Sequence, residues 1–178
     1  MYAINDCTEM PSSFDSLFEQ TLPAMDGGTF DWRFFDTYPS DEEKNSHIRM
    51  KYEEHLAFPH NKVIYWEKDG CGIHLAAGAI TPFDPDYIRY EYALYGADHG
   101  GSKGWLYDPL YIAQTKDFFR NELGLLGYKI CCHKDSNLFN YHMNKVGASE
   151  NYEVTVENEA NPDHADDITL ATIKYRYL

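Results

Sequence analysis

Tyr128 to Ala148, YKICCHKDSNLFNYHMNKVGA, is the stretch on which the fold turns. Its opening run, Tyr128 to His133, has the form of a short buried strand that sits parallel beside an earlier one after a helical crossover. Asp135 or Ser136 then caps a short helix through Val146, and Gly147 closes it. Immediately upstream, Asp108 at an N-cap and Pro109 at N1 open another helix. Ile112, Phe119, Leu123 and Leu126 lie along it at offsets of 7, 11 and 14, one apolar stripe, with Gly127 placed to end it. Ahead of that helix come the glycine-rich residues Gly100, Gly101, Ser102, Lys103 and Gly104. Before them, Tyr87 to Tyr95 (YIRYEYALY) alternates Ile88, Tyr90, Tyr92 and Leu94 against Arg89, Glu91, Ala93 and Tyr95. Strand, helix and strand therefore form a right-handed crossover unit.

Further out, Lys62 to Glu67 and Gly72 to Thr81 flank Lys68, Asp69 and Gly70, and an Asp-Gly between two β-type runs predicts a hairpin. Pro39, Ser40 and the acids Asp41, Glu42 and Glu43 open a helix that runs to about Leu56, before Pro59. Thr29 to Tyr38, TFDWRFFDTY, is aromatic and favours β structure. Phe14, Leu17, Phe18, Thr21 and Leu22 stand at helical spacing between the serines Ser12 and Ser13 and the glycines Gly27 and Gly28. Downstream, Tyr152 to Glu157 and Ile168 to Tyr177 read as two final strands around the polar loop from Asn158 to Asp167.

The chain has 178 residues, the size of a single domain spanning 1–178, and should bury roughly 70% of the surface its unfolded form exposes. With 15 Tyr, 10 Phe and 3 Trp it carries too much large apolar area to be disordered over most of its length. No apolar run approaches the roughly 18 residues that span a bilayer, and the start lacks a basic, then apolar, leader pattern, so a cytoplasmic protein away from membranes is expected. A net charge of −14 would repel nucleic acid and anionic lipid, and favours cationic partners such as amines. Cys7, Cys71, Cys131 and Cys132 form no C-x-x-C pair and are expected as reduced thiols.

The order helix, helix, three antiparallel strands, glycine loop, helix, strand, helix, two strands resembles the GNAT superfamily of acyl-coenzyme A N-acyltransferases. The stretch from Tyr128 to Ala148 is similar to that family's strand, Asn-containing helix and closing k-x-G-F, here Lys145, Val146, Gly147 and Ala148. The resemblance implies an α/β (α+β) fold with a mixed, mostly antiparallel sheet, a central parallel strand pair and helices on both faces. It also implies acetyl-CoA as acyl donor, transfer of an acetyl or similar group to a small-molecule or protein amine by direct attack, and allows a homodimer through the C-terminal strands.

In that family the acyl carrier lies in a V-shaped gap between the two parallel strands, along unpaired backbone. Tyr95 and Gly96 on the first of them are the residues carried over. Diphosphate rests on loop amides at a helix N-terminus. The cofactor-binding candidates there are Gly101, Ser102, Lys103, Gly104 and Trp105, with Trp105 either an aromatic wall or core packing. The family's loop is Gln/Arg-x-x-Gly-x-Gly/Ala, of which the frame Gly101 to Leu106 keeps Gly104. The alternative frame, Asp108 to Ala113, keeps only the small last residue and puts a carboxylate where phosphate would sit. Glu91 is the candidate base, and its plain reading is a strand acid paired with Arg89 or a neighbour. The family's acid is a Tyr four residues before the closing glycine, where this chain has Met143, which donates no proton. Tyr141 is taken as the candidate acid in preference to His142, since one helix position turns a side chain by about 100° and only one of them faces the gap. Asn137 is offset by one from the family's Asn and reads either as a carrier contact or as a cap.

Glu54, His55 and His60, like Asp163, His164, Asp166 and Asp167, lack metal-site spacing and read as solvated surface. Two other classes of function remain beside acyl transfer. One is a catalytically inactive GNAT-fold binding protein, favoured by the degenerate loop and by Met143. The other is an acidic protein that engages a basic partner, favoured by net charge alone.

Overall fold

The computed structural model describes residues 1–26, 40–96, 108–146, 150–158 and 170–178. These build seven strands in one sheet of order β1-β2-β3-β4-β5-β7-β6: β1 (Tyr2–Asp6), β2 (Asn61–Lys68), β3 (Cys71–Thr81), β4 (Asp84–Tyr95), β5 (Gly127–His133), β6 (Tyr152–Asn158) and β7 (Leu170–Tyr177). Every neighbouring pair is antiparallel except β4 with β5. Four helices accompany them: α1 (Phe14–Asp26), α2 (Asp41–Ala57), α3 (Pro109–Phe118) and α4 (Asn137–Tyr141), the last two each running on into a π-helical turn. The aromatic run Thr29 to Tyr38 lies outside the described residues.

The mixed sheet with one parallel pair is the one the sequence predicts, and local chemistry accounts for its best-read parts. Asp69 and Gly70 take φ of 52° and 79°, the two left-handed positions that a tight hairpin turn requires. Ser40 caps α2 by accepting from the Glu43 amide, with Asp41 to Glu43 in the positive first turn. Asp108 caps α3 through the Leu110 amide, with Pro109 behind it.

Two expectations need correction. The sequence does not predict strand β1: five residues, of which only Tyr2 is buried, gain their strand pairing only from β2, in register from Tyr2↔Lys68 to Asp6↔Ile64. And the helix before β5 stops earlier than its apolar stripe suggests. Gly124, at φ 69°, is its left-handed cap, and its amide bonds the Phe119 carbonyl. Gly127 instead opens β5, pressed so close to β7 that a Cβ would lie 1.8 Å from the Tyr175 carbonyl oxygen.

Helices cover both faces. On one, Phe14, Leu17 and Phe18 of α1 and Ile48 and Tyr52 of α2 pack on Val63, Leu75, Ala77 and Leu94. On the other, Tyr111, Ile112 and Phe119 of α3 and its extension pack with Ile64, Trp66, Ile73, Ile88, Ile130 and Ile173. Trp66 fixes α3 to the sheet by donating Nε1–H to Thr115 Oγ1 at 3.0 Å. All four cysteines are free thiols; Cys132 is buried and its neighbour Cys131, on the other face, is half-buried.

Candidate functional site: a split between the parallel strands

Parallel pairing of β4 with β5 covers Tyr87↔Gly127 to Tyr90↔Ile130, and among the described residues it goes no further. Beyond Tyr90, β4 continues to Tyr95 in register with β3, as far as His74↔Tyr95. Beyond Ile130, β5 continues to His133 in register with β7, as far as His133↔Leu170. Each strand stays with its outer neighbour, so the sheet opens in the middle.

A β-bulge stands at the apex. Ala77 pairs with Tyr92 and Gly78 with Tyr90, which leaves Glu91 with no residue opposite it. An extra residue of this kind sharpens local twist, and this one stands one residue past the last β4–β5 pair. Gly78 permits it, because a Cβ there would meet the Arg89 carbonyl oxygen at 2.5 Å. Below the apex the Tyr90 ring crosses the seam to stack on Tyr128 at 5.1 Å, and Tyr128 in turn stacks on Tyr175 of β7 at 4.8 Å.

The upper end of the opening is partly furnished by the protein itself. The Tyr95 amide donates to Thr21 Oγ1 of α1 at 2.9 Å, and the Thr21 hydroxyl lies 3.2 Å from the Tyr95 carbonyl oxygen. The Gly96 amide donates to the Ile73 carbonyl at 2.8 Å. The backbone amides of both carried-over residues therefore already have partners. Strand alternation turns the backbone of Ala93 to the same edge as that of Tyr95. Ala93 and Thr21 are the site residues that sequence reasoning missed; the glycine at position 78, inside a β-type run, was the signal for the bulge behind them.

Glu91 points to the α2 face, where its Oε2 lies 3.0 Å from His55 Nε2. His55, read from sequence as solvated surface, is 5% exposed, because the last turn of α2 lays its ring against β4 edge-on to Tyr92. Its Nδ1 lies 2.7 Å from the Lys51 carbonyl, which can only accept. Burial opposes charge on this ring, but the Glu91 carboxylate, the Lys51 carbonyl and the nearby Glu54 outweigh it and hold its pKa above the usual histidine value. The same contact with His55 holds Glu91 below the ordinary glutamate range.

On the other face, Tyr141 ends α4 and packs against the core that contains Ile130 and Cys132, its ring edge-on to His142. Glu91 and Tyr141 thus belong to opposite faces of the sheet. His142 is buried against the Tyr175 hydroxyl at 2.7 Å, and burial pushes its pKa down to about 3, so it is a neutral core residue at ordinary pH. Ser136 is the cap of α4, accepting from the Phe139 amide, and Asn137 is exposed just inside it. Gly101, Ser102, Lys103, Gly104 and Trp105 lie outside the described residues. At the mouth of α3, the Asp108 carboxylate accepts from the Leu110 amide at 2.9 Å and from the Tyr2 hydroxyl at 2.6 Å, contacts that hold its pKa low. Among the described residues no three or more His, Cys, Asp or Glu side chains gather as metal ligands, and no helix is long and apolar enough to cross a membrane.

No family model and no curated protein matches the sequence. Solved structures do match the fold. A RimL ribosomal L7/L12 alpha-N-protein acetyltransferase, in complex with coenzyme A, superposes with a TM-score of 0.61 at 15% identity, over 99% of this chain and 94% of that one. A Salmonella typhimurium acetyltransferase that modifies the N-terminal serine of L7/L12 gives 0.58 at 15%, over 99% and 95%. PaiA N-acetyltransferase from Thermoplasma acidophilum, also with coenzyme A, gives 0.57 at 10%, over 98% and 99%.

Proposed function

We propose that this chain, which carries the GNAT fold, is an acyl-coenzyme A-dependent N-acyltransferase that moves an acetyl or similar group to a small-molecule or protein amine. The opening between β4 and β5 carries the reading: an extended pantetheine arm fits there as the strand the sheet lacks, and Ala93 offers backbone groups to it. The solved relatives bound to coenzyme A agree with that choice of donor.

In the reaction, the neutral amine attacks the thioester carbonyl carbon and a β4 amide turned off β3 by the bulge stabilises the developing oxyanion. Glu91, at the bulge, receives the amine's proton, and Tyr141 protonates the departing thiolate. Gly101 to Trp105 hold the diphosphate, because Asp108 already fills the mouth of α3 with a negative charge and takes the Leu110 amide. An overall charge of −14 draws a cationic acceptor towards the site.

Thermal unfolding with and without acetyl-CoA tests the binding. Ligand at 100 times its Kd should stabilise the fold by about 2.7 kcal/mol, and no shift at millimolar ligand would remove the proposal. Turnover over a panel of amines then tests the chemistry: Glu91→Gln is expected to lower kcat/KM about 100-fold, with a smaller loss for Tyr141→Phe. Turnover unchanged from the parent in both variants would refute these roles and leave the fold standing. Asp108 supports a second reading, a GNAT-fold binder without the chemistry, which acetyl-CoA binding with no acylation of any amine would favour. The same residue gives a further expectation. Asp108→Asn keeps the helix cap but removes the charge, so coenzyme A should bind about three- to tenfold more tightly, as read by titration calorimetry. Unchanged or weaker binding would place the diphosphate well away from α3.

A further inference from the structure

Glu91 and His55 meet at the apex of the opening with very different access to solvent, and the inference drawn from them rests on the acyl-transfer reading above. The Glu91 side chain is 41% exposed, the His55 side chain 6%. His55 Nε2 is buried and makes no other polar contact among the described residues, and the more exposed Glu91 places its Oε2 3.0 Å away. The other ring nitrogen is committed: Nδ1 faces the Lys51 carbonyl at 2.7 Å and must keep its proton to bond it. Nε2 is therefore the nitrogen that gains and loses a proton, and it faces the carboxylate.

We propose that Glu91 and His55 form a dyad in which Glu91 takes the proton from the acceptor ammonium and His55 Nε2 stores it. The working base is the pair with Glu91 ionised and His55 neutral, net charge −1, and its conjugate acid is the ion pair, net charge zero. The acceptor ammonium loses one proton through Glu91 to Nε2. The amine lone pair then forms the C–N bond, the C–S bond breaks with its electrons on sulfur, Tyr141 protonates the thiolate, and the second amine proton restores the Tyr141 hydroxyl. Amide, thiol and protonated dyad account for every atom. His55 acts through Glu91, as its positioning residue and proton store.

Neighbouring charges fit this division. Around the pair stand Lys51 and Glu54 from α2, and Arg89 with the Tyr92 ring from β4. Burial disfavours the imidazolium, yet Glu91, the Lys51 carbonyl and Glu54 together raise its pKa. Contact with His55 lowers that of Glu91. A lone carboxylate so acidic holds an amine's proton poorly near neutrality, whereas a coupled pair titrates as one unit with the basicity of its ring.

The test is the pH dependence of kcat/KM for the full chain and for His55→Gln, together with an NMR titration of the His55 ring in the full chain and in Glu91→Gln. The parent should lose activity below an ionisation above about 6.5, the ordinary histidine value. In His55→Gln that acid limb should move down by more than about one pH unit, towards the carboxylate range, and the plateau should fall about 10- to 100-fold. A limb that stays in place, with turnover present, overturns the dyad and leaves the acyltransferase reading standing. Should His55→Gln not fold, the ring titration decides: its midpoint is expected to fall in Glu91→Gln, and an unmoved midpoint overturns the dyad. No turnover of any amine by the parent refutes the underlying activity and the dyad's role in it, whatever the ring does.

Discussion

Lowering the pH from 6.5 to 4 is expected to unfold the protein cooperatively, as followed by near-ultraviolet and far-ultraviolet circular dichroism. Two histidines are buried where burial disfavours their charged forms. His74 lies between Trp66 and Tyr95, ring centroids 4.3 and 4.5 Å away, with Nδ1 3.1 Å from the Tyr111 hydroxyl. His142 sits against Tyr175. Burial pushes the pKa of each down to about 3. The unfolded chain binds these protons near pH 6.5, so the stability they confer is complete above that value and is lost as pH falls from 6.5 towards 3. Each ring costs roughly 1 to 2 kcal/mol per pH unit over that window, and together they remove on the order of 5–8 kcal/mol by pH 4. Total stabilities of about 5–15 kcal/mol leave little in reserve. His142→Gln, which can still accept from the Tyr175 hydroxyl, should move the midpoint to lower pH. A native near-ultraviolet spectrum at pH 4 would show that the stability lost through these rings is smaller than the fold's total.

Gly127→Ala is expected to destabilise the fold by about 3 kcal/mol or more, and to lower Tm by roughly 6–12 °C. The new methyl carbon would lie 1.8 Å from the Tyr175 carbonyl oxygen, 2.9 Å from its carbon and 3.1 Å from the Arg176 Cα, all backbone atoms that no rotamer change can move aside. Relief requires β5 and β7 to separate at Gly127↔Arg176, next to the pair Tyr128↔Tyr175 whose rings stack below the split. Gly70→Ala is the control. Its Cβ meets nothing within 4 Å, and only the φ of 79° penalises it, by about 1 kcal/mol. A smaller loss of Tm in Gly127→Ala than in Gly70→Ala would show that β7 yields easily.

Features written in adjacent residues were the legible ones. The turn at Asp69-Gly70, the cap at Ser40 and the Asp108-Pro109 start of α3 each depend on a few neighbouring residues, and each stands where the sequence puts it. The crossover from β4 through α3 to β5 was legible because its handedness and length leave few alternatives. β1 escaped because its pairing partner is some sixty residues away, as in Ala3↔Glu67. The site divided in the same way. Glu91 was legible as a residue type on the right strand, but its partner was sought in Arg89 or a neighbour, and the contact with His55 exists only once α2 packs on the sheet. The bulge left one local trace, Gly78, while its effect on β5 is a matter of twist accumulated across strands. Thr21 gave no sign in its own surroundings beyond a helical spacing that any core-facing threonine would share.

The short parallel seam has a mechanical meaning. Two plates, one built on β3 and one on β7, are joined along four residue pairs and the Tyr90–Tyr128 stack, and a molecule lying along β4 beyond Tyr90 would act as a splint across the hinge. Occupancy should therefore slow amide hydrogen exchange on both plates at once, including strands that the occupant never touches.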